Sequence, residues 1–290
     1  MNRTLLILGH GYTAQALSRR LLPEGWTIIG TTRSAEKAAG LARLGIEPLI
    51  WPGTALASAL SRATHILASI GADAGGDPVL AAHRDDIASA TPHIEWAGYL
   101  STTGVYGDHR GGWVDEETPL TPTTERGRWR VGAEAEWRAV PGLPVHIFRL
   151  AGIYGPGRGP FEKVRDGSAR LIIKENQFMS RAHVEDIAAV LHASILRPAP
   201  GEAYNVCDDE PTPPEVVLRH AARLLHLPDP PEVPFETAQM NPMTRSFYSE
   251  SKKVRNDKIK TALGVRLLYP TYRENLAAIM ASGQAQDRDA

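Results

Sequence analysis

The sequence predicts an α/β protein in which a doubly wound parallel sheet carries a small C-terminal lobe. Two observations support this. Across residues 1–150, short apolar runs alternate with helical patterns, and the first run ends directly in Gly9-His10-Gly11-Tyr12-Thr13-Ala14. Strands that alternate with helices form βαβ units, which place their strands in parallel and their helices on both faces.

The elements follow in order. Apolar runs at residues 5–8, 26–32, 45–50, 65–69 and 94–101 are short enough for buried strands. Between them, Ala16, Leu17, Leu21 and Leu22 recur at helical spacing over residues 12–22. An Ala- and Leu-rich stretch at 34–43, a weaker one at 54–62 and another at 78–90 also read as helices. A further amphipathic helix, 126–139, leads to the apolar strand 145–150. After Gly152 the rhythm breaks, and Pro and Gly cluster at 155–160, 198–201, 211–214 and 228–234. Such punctuation predicts a lobe of short segments, with two long helices at 183–196 and 272–281. The domains are therefore placed at 1–155 for the core and 156–290 mostly for the lobe, with some segments returning to the core. Residues 282–290 are polar and are expected to fray.

Composition narrows the partners. Of 290 residues, 42% are hydrophobic and 22% charged, too apolar for a disordered chain. Lys and Arg number 32 against 33 Asp and Glu, so no global field draws in nucleic acid or an anionic membrane. No basic stripe with interleaved aromatics argues for nucleic acid either. Cys207 stands alone, which excludes an internal disulfide, fits a reducing compartment and reads as a small buried hydrophobe. No apolar stretch reaches the ~18 residues of a spanning helix. The N-terminal run stops at Gly9 without a small-residue cleavage site, so a soluble, cytoplasmic protein is expected. No metal site emerges: His109 with Asp108 and Asp115, and His220 with His226, lack ligand spacing. If the chain assembles, a homodimer is the default.

The glycine string opens a helix at the start of a βαβ pattern, the context that gives G-x-G-x-x-A its meaning. Gly9 permits the tight turn, Gly11 lets backbone approach a pyrophosphate, and Ala14 lets helix and strand pack closely. Residues Gly9 to Ala14 are therefore read as a dinucleotide loop. At the end of the second strand, an acidic residue would hold the ribose 2′-hydroxyl of NAD, whereas an Arg accommodates the 2′-phosphate of NADP. Here Thr32, Arg33 and Ser34 stand there, with no acidic residue before Glu36, which favours NADP over NAD. Ser69 and Gly71, after the fourth strand, would lie along the cofactor's middle.

Several strings resemble the extended short-chain dehydrogenase/reductases, the NAD-dependent epimerase/dehydratase family. They are Tyr99 to Gly107 (YLSTTGVYG), Arg149 to Arg158 (RLAGIYGPGR), Arg181 to Ala188 (RAHVEDIA) and Tyr204-Asn205-Val206, in the family's order. The resemblance implies a Rossmann-type domain, a substrate lobe and an active site in the cleft between them. It implies a strand-end hydroxyl, here Thr102, on the substrate's oxygen. It also implies a Tyr acid/base and a Lys four residues later, and this chain departs from that pattern. Aligning the helix by its Ala133-Glu134 ending puts Arg126 and Arg130 at those places, and no Tyr lies between Tyr106 and Tyr154. Arg stays protonated and cannot shuttle a proton, but Arg126 and Arg130 share a helix face and could grip an anion, or Arg130 the nicotinamide ribose. Tyr106, Tyr154, His109 and His183 are the remaining proton sources to consider. Arg149 and Arg158 complete a basic cleft, with Tyr154 and Arg158 read as substrate contacts.

The expected function is an NAD(P)-dependent oxidoreductase or epimerase/dehydratase-like protein. Its substrate would be a nucleotide sugar or a similar anionic alcohol or carbonyl compound. The alternative is a non-catalytic NADP(H)-binding sensor.

Overall fold

The computed structural model describes residues 3–281; the stretch expected to fray, 282–290, lies outside the described residues. The chain runs through β1 (Thr4–Leu8), α1 (Tyr12–Leu21), β2 (Thr27–Thr32), α2 (Ala35–Arg43), β3 (Glu47–Ile50), α3 (Ala57–Leu60) and β4 (His65–Ala68). It continues through α4 (Pro78–Ala90), β5 (Trp96–Thr102), β6 (Trp113–Val114), α5 (Glu125–Arg138), β7 (Val145–Leu150) and β8 (Gly152–Tyr154). Then come α6 (Phe161–Arg165), β9 (Leu171–Ile173), β10 (Arg181–His183), α7 (Val184–Leu196), β11 (Ala203–Val206) and α8 (Pro214–Leu224). The last elements are β12 (Glu232–Pro234), α9 (Pro242–Tyr248), β13 (Lys253–Val254), α10 (Asp257–Thr261) and α11 (Tyr272–Ala281).

Seven strands form one parallel sheet in the order β11-β7-β5-β4-β1-β2-β3. Alternate residues of a strand face opposite sides, so a strand covered on both sides must be apolar throughout. In β1, Leu5 and Ile7 pack with Leu17 of α1 and Ile187 of α7, while Leu6 and Leu8 pack with Leu80 of α4 and Trp137 of α5. Full burial of a side chain of this size contributes about 1.5–3 kcal/mol, so the uninterrupted run that marked β1 is also what anchors it.

Two segments after residue 156 pack in the core rather than in the lobe. The helix predicted at 183–196 is α7, and it belongs to the core: Val184, Ile187, Val190 and Leu191 pack in the same cluster as α1. Buried Asp186 fastens a later segment to it by accepting from the backbone N–H groups of Leu268 (2.6 Å) and Tyr269 (3.0 Å). The string Tyr204-Asn205-Val206 likewise lies in the sheet's edge strand β11. The lobe has its own cluster, in which Phe161 and Val164 of α6 meet Val217 and Ala221 of α8 and Tyr272 and Leu276 of α11. The helix predicted at 54–62 shrinks to the four residues of α3. Among the described residues, no helix is long and apolar enough to cross a membrane, and no group of three metal-ligating side chains converges.

Strand order reverses between β1 and β4, so the loops that leave their carboxyl ends diverge and open a crevice.

Candidate active site

The glycine loop occupies that crevice. Gly9 has φ +91°, and a Cβ there would lie 2.6 Å from Ile70 Cγ1, so both conformation and space demand glycine. Gly11 is different. A Cβ built on it meets nothing within 4 Å, because it would project into open space. Helix α1 starts at Gly11 without a side-chain cap, whereas Ser34, Asp77 and Thr124 cap α2, α4 and α5. Uncapped amides at the positive end of a helix attract an anion, and the space in front of Gly11 leaves room for one. The residues present fit a dinucleotide's diphosphate.

The His10 side chain does not join them. It is buried against Gly30, and its Nε2 lies 2.9 Å from Ser18 Oγ. Burial pushes its pKa down to about 4. Ala14 is fully buried in the helix–strand contact. Tyr12 donates its hydroxyl to the carbonyl of Pro156 (2.8 Å), and the Arg158 guanidinium sits 5.3 Å from the Tyr12 ring centroid. This contact holds the loop after β8 beside the glycine loop. At the end of β2, Arg33 is exposed and has no hydrogen-bond or ionic partner among the described residues. Thr32 Oγ1 accepts from Ser34 N (3.5 Å), and Ser34 Oγ caps α2 through Lys37 N (3.2 Å).

A cleft of about 470 Å³ continues from the crevice toward the lobe. Among the predicted site residues, it brings together Thr13, Ser69, Gly71, Thr102, Arg126, Arg130 and Arg158. Gly9, His10, Gly11, Tyr12, Ala14, Thr32, Arg33 and Tyr154 lie off its lining. Thr102 ends β5, and its Oγ1 accepts from Gly104 N (3.1 Å), which fixes the oxygen and leaves the hydroxyl proton to donate.

The two arginines of α5 have different surroundings. Arg130 Nη1 donates to the Leu100 carbonyl (2.7 Å) and to Tyr99 Oη (3.2 Å). Its Nη2 would lie only 2.9 Å from a Cβ on Gly71. Arg130 thus brackets β5 and the loop after β4. Arg126, one turn earlier, is exposed in the cleft with no partner among the described residues.

The expected basic role of Arg149 in the cleft is corrected. It is buried and grips Glu134 with Nε (3.2 and 3.3 Å) and Nη2 (2.9 Å). Its Nη1 donates to Tyr106 Oη (2.9 Å), and Glu134 also accepts from Ser101 Oγ (2.6 Å). The four proton sources considered above also lie off the cleft lining. Tyr106 is fully buried, donates to Asn205 Oδ1 (2.7 Å), and is pushed up to about 12 by burial. Tyr154 donates to Asp208 Oδ2 (3.3 Å), and burial, followed by the Asp208 charge, raises its pKa far above that of an ordinary phenol. His183 caps α7 by accepting from Glu185 N (3.2 Å) and is lowered to about 4 by burial. His109 Nε2 lies 3.1 Å from the Tyr106 carbonyl. Each belongs to the protein's own framework.

The sequence places a lobe beside the cleft but does not single out which of its later residues line it. Phe178, Phe247, Glu250 and Lys252 line the far wall. Lys252 Nζ donates to the Gly107 carbonyl (2.6 Å) and to Glu250 Oε2 (2.8 Å), and Thr123 Oγ1 donates to Glu250 Oε1 (2.6 Å). In the sequence, Glu250-Ser251-Lys252-Lys253 reads as a solvated charged segment. Only the 145-residue jump back to Gly107 makes it part of a site, and no local pattern carries that signal.

The strand order, the loop at the switch point and the cleft beside the lobe define a nucleotide-binding protein of the Rossmann type. No family model matches the chain. Protein YeeZ of Escherichia coli (strain K12) is 30% identical over 241 residues, covering 79% of this chain and 86% of YeeZ. The structure of a functionally unknown conserved protein from Silicibacter pomeroyi DSS is 59% identical, with a TM-score of 0.93 over 97% of this chain and 99% of the other. The human epimerase family protein SDR39U1, solved with NADPH, shares the fold at 18% identity and a TM-score of 0.77 over 96% and 99%. The chain belongs to one family with YeeZ, and it shares its fold with the epimerase family protein SDR39U1.

Proposed function

We propose that the protein is an NADP-dependent oxidoreductase of the epimerase/dehydratase type, acting on an anionic alcohol or carbonyl compound, a nucleotide sugar among the candidates. One observation carries this reading. The uncapped glycine-loop helix, the Thr102 hydroxyl and the unpaired guanidinium of Arg126 converge on one crevice and its cleft. When bound, NADP supplies or accepts a hydride.

The chain's own residues supply the rest. The amides of the glycine loop hold the diphosphate, and Arg33 with Thr32 meets the 2′-phosphate. Ser69 and Gly71 flank the middle of the dinucleotide, and Arg130 reaches the nicotinamide ribose from its bracket on β5. Thr102 donates to the substrate's oxygen, and Arg126 and Arg158 hold its charge. The NADPH in SDR39U1 supports a nicotinamide cofactor in this fold; the preference for NADP rests on Arg33.

The test is slow oxidation of NADPH, followed by absorbance, with a panel of carbonyl compounds and keto-sugar nucleotides. Turnover with at least one supports the enzyme reading. A second reading rests on the expectation that Arg126 and Arg130 stand where the resembled family uses Tyr and Lys. Tight NADPH binding with no turnover on any substrate would favour a dinucleotide sensor.

A further inference from the structure

We propose that Lys252 is the proton donor of the cleft, delivered by the lobe in place of a tyrosine on α5. The proposal rests on the oxidoreductase reading and goes beyond it by naming the acid. Lys252 is 9% exposed, yet it lines the cleft together with Thr102. An ammonium group has three donors. Two are fixed, on the Gly107 carbonyl and on Glu250 Oε2, and the third has no partner among the described residues. Both anchors are themselves held. Gly107 has φ +75°, and a Cβ there would fall 1.9 Å from the Thr121 carbonyl, so its backbone is wedged in place. Glu250 has its second oxygen bonded to Thr123. A lysine so held is a rigid donor on the wall of the cleft that Thr102 also lines.

The chemistry closes on itself. In the reductive direction a hydride from reduced nicotinamide forms the new C–H bond and opens the C=O. One N–H of Lys252 breaks and the alcohol O–H forms. Neutral Lys252 then regains its proton from solvent. An ordinary ammonium, with a pKa near ~10.4, is far more acidic than an alcohol, so transfer to developing alkoxide runs downhill. Glu250 holds the ammonium in place before reaction. Arg126 offers a charge but no proton.

Three forms of the full-length chain test this: wild type, Lys252→Arg, and Lys252→Met combined with Glu250→Gln, which leaves no buried carboxylate unpaired. NADPH affinity, measured by fluorescence, should stay within about twofold in all three. Among the carbonyls the wild type reduces, both variants should lose roughly 100-fold or more in kcat, the usual share of a general acid. KM should change little. Loss in Lys252→Arg is decisive, because Arg preserves the charge and the anchors. Independently, in ¹⁵N-lysine-labelled protein loaded with NADP⁺, the Lys252 Nζ resonance, assigned by its absence from Lys252→Arg, should shift when phenylpyruvate is added. Full rescue by Arg, wild-type kcat in the Met/Gln variant, or an unmoved Nζ resonance overturns the proposal alone. A wild type that binds NADPH but reduces no carbonyl removes the oxidoreductase reading and this proposal with it.

Discussion

Gly11 and Gly9 share a motif and fail differently. A Val at Gly11 projects into open space, so the fold should survive while the place of the diphosphate is filled. Gly11→Val is expected to keep its melting temperature within a few degrees and to lose NADPH and NADH binding together. Unaltered affinity in the folded variant would show that the loop holds no phosphate. At Gly9 the same change meets Ile70 and a positive φ, so it should unfold the chain instead. Arg126 gives a kinetic expectation. Because it is unpaired and stays charged, Arg126→Lys should raise KM more than it lowers kcat, whereas Thr102→Ala should lower kcat. Equal kcat for Thr102→Ala and wild type would misplace the reacting centre. Behind the site, Glu134→Ala would strand the buried Arg149 guanidinium at a cost of about 3–5 kcal/mol, measurable by denaturant unfolding.

At the scale of elements, what could be read from sequence was what had a period or a motif. Strand β1 and helix α1 carry uninterrupted apolar and 3.6-residue patterns, and the glycine string joins them. The paired strands β8–β10, β9–β12 and β13–β6 are two or three residues long, too short for any periodicity to register. Helix α7 was legible as a helix but not as part of the core, because its partner α1 lies more than 160 residues earlier and an apolar stripe does not say which face it covers. The candidate site divides along the same line. Thr102, Arg126 and Arg130 follow from one strand end and one helix. Lys252 and Glu250 arrive through a return of the lobe, and Arg149 looked like a cleft cation until its carboxylate partner on α5 was placed.

The whole molecule carries a pH signature. His10, His65 and His183 are each lowered from 6.5 to about 4, chiefly by burial. The unfolded chain takes up protons below pH 6.5 that the folded chain refuses until about pH 4. The stability these groups contribute is therefore complete above pH 6.5 and is lost between 6.5 and 4. Asp208 runs the other way: burial raises it to about 7 against the pull of Arg181, so its contribution is greatest at low pH and is lost as pH rises toward 7. His146 and His220 are lowered as well, and burial raises Glu116, Asp186 and Glu215 alongside Asp208; with the large histidine shifts setting the sign, the melting temperature should fall from pH 7 to pH 5. Asp208→Asn removes the ionising group but leaves the buried Arg181 guanidinium without its carboxylate, so it should lower the melting temperature while flattening its change between pH 6 and 8. A flat wild-type profile, or an unchanged pH dependence in that variant, would contradict the burial argument.

The central claim is a dinucleotide seated on the glycine loop with its 2′-phosphate on Arg33, and calorimetry with NADPH and NADH on wild type and Arg33→Ala tests it most directly. A charge-assisted Arg–phosphate contact contributes about 1.5–3 kcal/mol, so the wild type should prefer NADPH, and Arg33→Ala should weaken NADPH roughly tenfold or more while leaving NADH nearly unchanged. Equal losses for both cofactors, or no binding of either to the wild type, would contradict it.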